Sequence, residues 1–203
     1  KKIIAMFHNP KTRLTGFIVA FIAFVTLHSC QDHRVAPPTP SLPDAPFYAL
    51  TSTNQLLALN VRSTNMPTAT VTISGLPQGE QILAIDFRPA TGQLYGVGSS
   101  SRLYIINPVT GTSIPLGSAP FSPGLNGNAV ALDFNPTVDR IRLVTNTGQN
   151  LRLHPETGAV AFTDGSINGA AGAMIAGGAY TNNKAGVTTT TLYDIDPVTD
   201  RLY

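Results

Sequence analysis

The sequence predicts an all-β fold, a β-propeller-like array of four-stranded repeats of about 47 residues each. The first observation is repetition. When residues 82–111 are shifted by one period, Asp86 and Pro89 align with Asp133 and Pro136. The second is a recurring hairpin-type turn, and the third is an alternation of apolar residues between the turns. A unit this small cannot cover its own apolar face, so neighbouring units must stack.

The turns of the repeat share proline, threonine and glycine in a fixed order. Proline fixes φ at the second position of a type I turn, and glycine adopts the left-handed conformation that ends it. We therefore expect positive φ at Gly111 and Gly158. Similar turns occur in other β proteins, so a β-sandwich with look-alike hairpins is the alternative fold. The residues assigned to these turns are Pro89, Asn107, Pro108, Gly111, Pro136, His154, Pro155 and Gly158.

Apolar residues recur at every second position between the turns, which is typical of half-buried strands. Two copies are full, the first begins in the middle of a unit, and the fourth ends within or just after the turn at 197–200. We therefore expect two open edges and an incomplete array. The fourth copy is aligned so that Asp196 takes the place of Asn107. The alternating pairs are Leu57 and Leu59, Tyr104 and Ile106, Leu151 and Leu153, and Tyr193 and Ile195.

The amino-terminal segment has the composition of a secretory signal. Residues 1–29 hold four basic residues and no acidic one, and an apolar run extends from Leu14 to Leu27. This run is shorter than the about 20 residues that a membrane-spanning helix needs. The following residues, Leu27 to Cys30, resemble the lipobox of bacterial lipoproteins, in which the cysteine carries the lipid. We expect a signal peptide at 1–29 and lipidation of Cys30; the alternative is a stray thiol in a discarded leader.

The rest of the chain divides into a tether and a domain. Residues 30–46 comprise the cysteine and a proline-rich, extended tether, and residues 47–203 form the repeat domain. The whole chain has a net charge of +2, with 13 basic and 11 acidic residues. Since the leader holds four of the basic residues, the part from Cys30 onward has nine basic residues against eleven acidic ones, a net −2. This balance argues against a nucleic-acid partner.

Few residues of the repeat domain are suited to catalysis. His154, its one histidine, is interpreted as a turn residue because it occupies the place of Asn107. Asp86 and Asp133 each interrupt an apolar strand, where a carboxylate must be paired or hydrogen-bonded. They are candidates to hold a ligand or cation in a central channel. The preferred interpretation is that they bind the backbone of the adjoining turn, because the fourth copy has Ala179 there. No catalytic residue, metal site or cofactor is assigned.

Two glycine-rich segments connect successive copies, at residues 119–128 and 164–178. Exposed loops of this kind are a common place for binding. Glycine is also favoured where the backbone passes close to other backbone between two sheets, because it has no Cβ. We interpret the two segments first as crossings between blades and second as binding loops.

The order of the motifs carries a family resemblance. The chain contains FYALTSTNQLLALN, ILAIDFRPATGQLYGVG, LYIINPVTG, AVALDFNPTVDRIRLVTNTGQNLRLHPETG and TTLYDID. With these, residues 47–203 resemble an uncharacterised bacterial family, the domain-of-unknown-function family four-three-nine-four. The resemblance depends on D-F-x-P and N-P-x-T-G occurring together. It implies an extracytoplasmic, propeller-like repeat protein with at least one further blade, and it implies no reaction and no catalytic residues.

Three functions are compatible with these observations. The first, which we favour, is a non-enzymatic cell-envelope lipoprotein that faces the periplasm or the cell exterior. Its membrane anchor is Cys30, and its blades present loops to a protein or glycan partner. The second is a propeller enzyme of hydrolase or lyase type that uses a cation held by Asp86 and Asp133. The third is a fragment without an independent function.

Overall fold

The computed structural model describes residues 41–203, except 168 and 170, and the regular structure in that part is β-strand throughout. This confirms the predicted all-β class. The proposed signal peptide, Cys30 and most of the tether lie outside the described residues. Within the described ones, we find no helix with the length and apolar character that a membrane crossing requires. Residues Leu42 to Tyr203 belong to one unit.

The strands form four antiparallel sheets that follow one another along the chain, each with its strands paired in chain order. Sheet 1 contains β1 (Pro46–Leu50), β2 (Gln55–Asn60) and β3 (Ala69–Thr72). Sheet 2 contains β4 (Ile82–Phe87), β5 (Leu94–Gly98), β6 (Leu103–Ile106) and β7 (Ser113–Leu116). Sheet 3 contains β8 (Val130–Asn135), β9 (Arg140–Thr145), β10 (Asn150–Leu153) and β11 (Val160–Thr163). Sheet 4 contains β12 (Gly177–Tyr180), β13 (Leu192–Asp196) and β14 (Arg201–Leu202).

The predicted turn chemistry closes the hairpin between β6 and β7. Asn107 Oδ1 accepts hydrogen bonds from the N–H groups of Val109 at 2.9 Å and Thr110 at 3.1 Å. The N–H of Gly111 donates to the Asn107 carbonyl oxygen at 2.8 Å. Gly111 has φ 77° and Gly158 has φ 72°, as the turn sequence predicts. Each of these turns is therefore determined locally, by about five consecutive residues.

The first sheet begins in mid-unit, as expected. In the sequence repeat Phe47 and Tyr48 align with Leu94 and Tyr95 of β5, so β1 and β2 correspond to the second and third strands of sheet 2. Among the described residues, sheet 1 therefore has no counterpart of the inner strand β4. The described residues form a propeller-like array of four sheets.

The last sheet corrects the alignment of the fourth copy. The sequence alignment equates Asp196 with Asn107, which follows the third strand of its sheet, but Asp196 ends β13, the second strand. Both side chains make the same turn, because Asp196 Oδ1 also accepts hydrogen bonds from N–H groups two and three residues later. The physical reason is that turn chemistry depends on a few consecutive residues and not on which strands the turn connects.

Apolar clusters fill the spaces between successive sheets, and the inner strands β4, β8 and β12 lie side by side. As the alternation predicted, Tyr104, Ile106, Leu151 and Leu153 are buried. The cluster between sheets 1 and 2 comprises Leu56, Ile73, Ile82, Leu94, Tyr104 and Ile106. The larger cluster between sheets 2 and 3 includes Tyr95, Val97, Leu103, Leu132, Phe134, Leu143, Leu151 and Leu153. The smaller cluster between sheets 3 and 4 comprises Ala131, Val144, Ala173 and Ile175.

Candidate functional site

The two candidate acids occupy matching places on neighbouring inner strands, Asp86 on β4 and Asp133 on β8. Asp86 Oδ2 accepts a hydrogen bond from the N–H of Phe134 at 3.0 Å. Asp133 Oδ2 accepts one from the N–H of Tyr180 at 2.5 Å, and its Oδ1 accepts one from Phe134 at 2.6 Å. Each carboxylate thus binds the backbone of the next sheet rather than that of the adjoining turn. Ala179 takes the corresponding place on β12, so this series of bonds ends at sheet 4.

The side chains of Asp86 and Asp133 also interact with each other. Burial, followed by the hydrogen bond and the charge of Asp133, raises the pKa of Asp86 to about 8. At neutral pH the pair therefore holds a proton, which reduces the repulsion between two neighbouring carboxylates. Within the described residues, no three His, Cys, Asp or Glu side chains converge as a metal centre would require. The two carboxyl groups thus form a contact between neighbouring sheets, through the N–H groups of Phe134 and Tyr180.

The predicted turn residues lie in the turns between strands. His154 Nδ1 accepts a hydrogen bond from the N–H of Glu156 at 3.2 Å, and the N–H of Gly158 donates to the His154 carbonyl oxygen at 2.8 Å. His154 thus does in its turn what Asn107 does in the preceding copy. The prolines Pro89, Pro108, Pro136 and Pro155 each stand in the turn that follows a strand.

A buried arginine was missed by the sequence analysis. Arg88 Nη2 lies 2.5 Å from Asp139 Oδ2 and 2.6 Å from Glu156 Oε1, and both acids belong to turns of sheet 3. Its guanidinium also donates to the Tyr95 hydroxyl at 3.4 Å. The side chain of Arg88 therefore links the turn after β4 to sheet 3 through two ion pairs. The sequence holds no signal for this contact, since the third copy has Asn135 in the place of Arg88.

A polar pocket between sheets 3 and 4 was also not predicted. Its volume is about 490 Å³. One wall comes from the second and third strands of sheet 3, another from β13, and a third from the loop after β11. That loop begins the second glycine-rich segment, residues 164–178, for which a binding loop was one of the two interpretations. The lining residues are Arg142, Asn150, Asp164, Gly165, Ser166, Ile167, Leu192, Asp194 and Tyr203.

A network of hydrogen bonds fixes the polar groups of the sheet 3 wall. Arg142 Nη1 donates to Asp164 Oδ2 and to Asn150 Oδ1, both at 2.7 Å. Arg142 Nε donates to the Tyr180 hydroxyl at 3.2 Å. Arg152 holds the same Asp164 through two further bonds of 2.8 Å each. The wall thus presents an arginine whose position is set by three partners, beside a carboxylate that is already neutralised.

The opposite wall carries a buried carboxylate without a protein partner. Asp194 is only 2% exposed, and its Oδ1 makes no hydrogen bond to any described residue. Burial raises the pKa of Asp194 to about 6, while the charge of Arg142 acts in the opposite direction. Gly178, its partner on β12, leaves room for this carboxyl group, because a Cβ at Gly178 would collide with Asp194 Oδ1.

The burial pattern of β13 is opposite to the one predicted. The alternation assigned Tyr193 and Ile195 to the buried side, but these residues are 44% and 53% exposed. Asp194 and Asp196 are buried instead. The face of β13 toward sheet 3 can hold a carboxylate for two reasons. The positive charge of Arg142 lies nearby, and Gly178 of β12 leaves space for the Asp194 side chain. Alternation alone does not reveal which of the two faces packs against a neighbour.

Comparisons with known proteins identify a family and a distant structural likeness. The family model described as "Domain of unknown function (DUF4394)" matches residues 47–203. No curated protein matches the chain. Among solved structures, the chain is similar to that of BBS1N in complex with ARL6DN, soaked with mercury, with 14% sequence identity and a TM-score of 0.41. The similarity covers 74% of this chain and 43% of that one, so the chain spans less than half of the solved chain's length.

Proposed function

The chain belongs to the DUF4394 family, and from this premise we propose that it is a non-enzymatic binding protein of the cell envelope. The observation that carries the proposal is the pocket between sheets 3 and 4, where Asp194 is buried without a protein partner. Buried polar groups are normally hydrogen-bonded, and one that lines a pocket is a natural contact for a ligand. By contrast, Asp86 and Asp133 are engaged with each other and with the next sheet.

The proposed location rests on the amino-terminal sequence. A basic segment, an apolar run and Cys30, the one cysteine of the chain, follow one another as in lipoprotein signals. The proline-rich residues 31–46 would then hold the repeat domain away from the lipid surface. At about 3 Å per residue, an extended tether of this length spans some tens of ångströms. The pocket would in this way face the periplasm or the cell exterior.

The binding role is tested by sedimentation of the full chain with purified cell-envelope polysaccharide and, separately, with envelope proteins. The Cys30→Ser variant is used, so that lipid does not contribute to retention. We expect saturable binding to one of the two preparations. The absence of saturable binding to both would contradict the proposed function.

A second candidate function is the propeller enzyme. The observation that favours it is the raised pKa of Asp86, since general acids are often carboxyl groups that keep a proton near neutral pH. Elemental analysis of the purified wild-type chain and of Asp86→Asn and Asp133→Asn variants separates the two functions. A stoichiometric cation that is lost in both variants would favour the enzyme. Under the binding proposal, neither variant changes the metal content.

A further inference from the structure

We infer that the pocket between sheets 3 and 4 binds a neutral, polyhydroxylated ligand, a segment of a glycan, with Asp194 accepting a hydrogen bond from a ligand hydroxyl. This inference rests on the proposed binding function and names its ligand class. The pocket volume of about 490 Å³ falls within the range of small-molecule sites, which is about 300–1,000 Å³. That is room for one or two sugar rings.

The charges of the pocket argue against an ionic ligand. Two carboxylates, Asp164 and Asp194, line it, and the Arg142 guanidinium is already engaged with Asp164 at 2.7 Å. Arg152 likewise binds Asp164, at 2.8 Å. An anion would meet Asp194 with no arginine free of a carboxylate partner among these residues. A divalent cation would meet the Arg142 charge and a single uncommitted carboxylate, whereas Ca²⁺ takes about six to eight oxygen ligands.

The hydrogen-bonding groups match a hydroxyl. Asp194 offers a buried acceptor, Arg142 offers donors held in place by Tyr180 and Asn150, and Ser166 adds a hydroxyl. A sugar hydroxyl both donates and accepts, so one such group can donate to a carboxylate and accept from a guanidinium at the same time. A ligand of this kind supplies the donor that the Asp194 carboxylate lacks in the protein.

The remaining lining residues suit the apolar parts of a sugar. Ile167, Leu192 and Tyr203 are partly buried at the same pocket, and Ile167 and Tyr203 pack against the apolar cluster between sheets 3 and 4. Sugar rings combine hydroxyl edges with C–H faces, and an aromatic or aliphatic side chain can cover such a face. The pocket therefore joins a few fixed polar groups to an apolar floor, as small-molecule sites do.

The test is isothermal titration of the full chain, in a detergent without a sugar headgroup, with maltotriose, cellotriose and chitotriose as neutral probes. Trigalacturonate serves as the anionic probe and CaCl₂ as the cationic one. We expect saturable binding of at least one neutral probe at one site per chain. The Asp194→Asn variant should weaken it by about tenfold, because the neutral amide oxygen of asparagine accepts a weaker hydrogen bond than an ionised carboxylate does.

The matched control is Asp200→Asn, which changes an exposed carboxylate of the same sheet and should leave the affinity unchanged. Thermal unfolding checks that both variants fold. Hydrogen exchange gives a second readout, in which the neutral probe should protect the amides of 164–167 and 192–194.

Three results would overturn the inference: no saturable binding of any neutral probe, equal affinity in Asp194→Asn, or preferential binding of trigalacturonate or calcium that depends on Asp194. The sedimentation test distinguishes these results from a failure of the binding function. If the Asp194→Asn chain still binds envelope material, the protein binds elsewhere. If the wild-type chain binds none, the proposed function itself is wrong.

Discussion

Asp86 and Asp133 are single residues that connect whole sheets. A carboxylate among apolar neighbours is stable only when it is paired or hydrogen-bonded, and here each binds an N–H group of the next inner strand. The repeat places the same residue type at the same position, so the same contact forms twice. Because burial and the neighbouring Asp133 raise the pKa of Asp86 to about 8, the contribution of Asp86 to stability depends on pH.

The first prediction concerns that pH dependence. The pKa of Asp86 is raised from 3.8 to about 8 in the folded protein, so the folded state binds this proton more tightly than the unfolded chain does. Its stabilising contribution is complete below the unfolded pKa and is lost as pH rises through about 8. We expect the urea midpoint of the wild-type chain to keep falling between about pH 6 and pH 8 and to level off above that, whereas the midpoint of Asp86→Asn should fall less over the same range.

That pH window separates Asp86 from the other shifted carboxyl groups. The pKa of Asp194 is raised to about 6, so its contribution to the stability of the fold is also lost as pH rises. That loss is complete at a lower pH than the loss due to Asp86. Asp139 and Asp164 have lowered pKa values, so their contributions are lost only on acidification. Asp200→Asn is the control and should keep the wild-type dependence. An equally large fall in Asp86→Asn would show that another group titrates.

At the scale of the element, one kind of turn serves two kinds of hairpin, although its fifth residue is Gly111 in sheet 2 and Asp200 in sheet 4. Asn107 makes its turn between the third and fourth strands of sheet 2, and Asp196 makes the same turn between the second and third strands of sheet 4. The glycine that ends the turn differs in what surrounds it. A Cβ at Gly111 would collide with the carbonyl oxygen of Thr72 in sheet 1, whereas one at Gly158 would lie 3.4 Å from the Leu116 carbonyl oxygen.

The second prediction ranks substitutions in these turns. Both glycines have positive φ, which costs a β-branched residue about 1–2 kcal/mol. Gly111→Val adds the collision with sheet 1, so it should lower the melting temperature more than Gly158→Val. Thr110→Val, at an exposed position beside Gly111, should lower it least. Thermal unfolding by circular dichroism measures the order. If Thr110→Val were as destabilising as Gly111→Val, the steric argument would fail.

At the scale of the molecule, the sheets pack against one another in chain order, but the described residues leave one face of sheet 4 largely exposed. Its outward side chains Tyr193, Ile195 and Leu202 are 44%, 53% and 62% exposed. These are the residue types that the other sheets bury against a neighbour. Exposed, contiguous apolar side chains on a sheet with a short last strand favour contact with another chain.

The third prediction is that the chain self-associates through this face with a second copy. Light scattering after size exclusion, across a concentration series of the Cys30→Ser chain, should show a mass above that of the monomer. Ile195→Lys should shift the equilibrium toward monomer, because it places a charge on the apolar face. Val109→Lys, on an exposed turn of sheet 2, is the control. A monomer at every concentration, or association that Ile195→Lys does not weaken, would contradict this prediction.

The fourth prediction concerns attachment of the whole protein to a membrane. Each buried CH₂ of an acyl chain contributes about 0.8 kcal/mol, so several long chains on Cys30 would anchor the protein firmly where one would be marginal. In detergent phase partitioning, the wild-type chain should enter the detergent phase and Cys30→Ser should stay in the aqueous phase. Equal partitioning of the two proteins would exclude lipidation at Cys30.

The sequence by itself determined the features that depend on neighbouring residues. Turn chemistry and apolar alternation predicted the all-β class, the repeat period, the positive φ of Gly111 and Gly158, and a first copy that begins in mid-unit. These features could be predicted because each depends on about five to ten consecutive residues.

Only the tertiary structure decided which side chains and backbone groups contact each other between neighbouring sheets. Asp133 binds the N–H of Tyr180, Arg88 binds Asp139, and Asp194 turns inward where the alternation pointed to Tyr193. The glycine-rich segment after Asp164 could be noted as a loop, but its place in a pocket opposite Asp194 could not. The physical reason is that these contacts join side chains far apart in the sequence, and their partners are set by how one sheet stacks on the next.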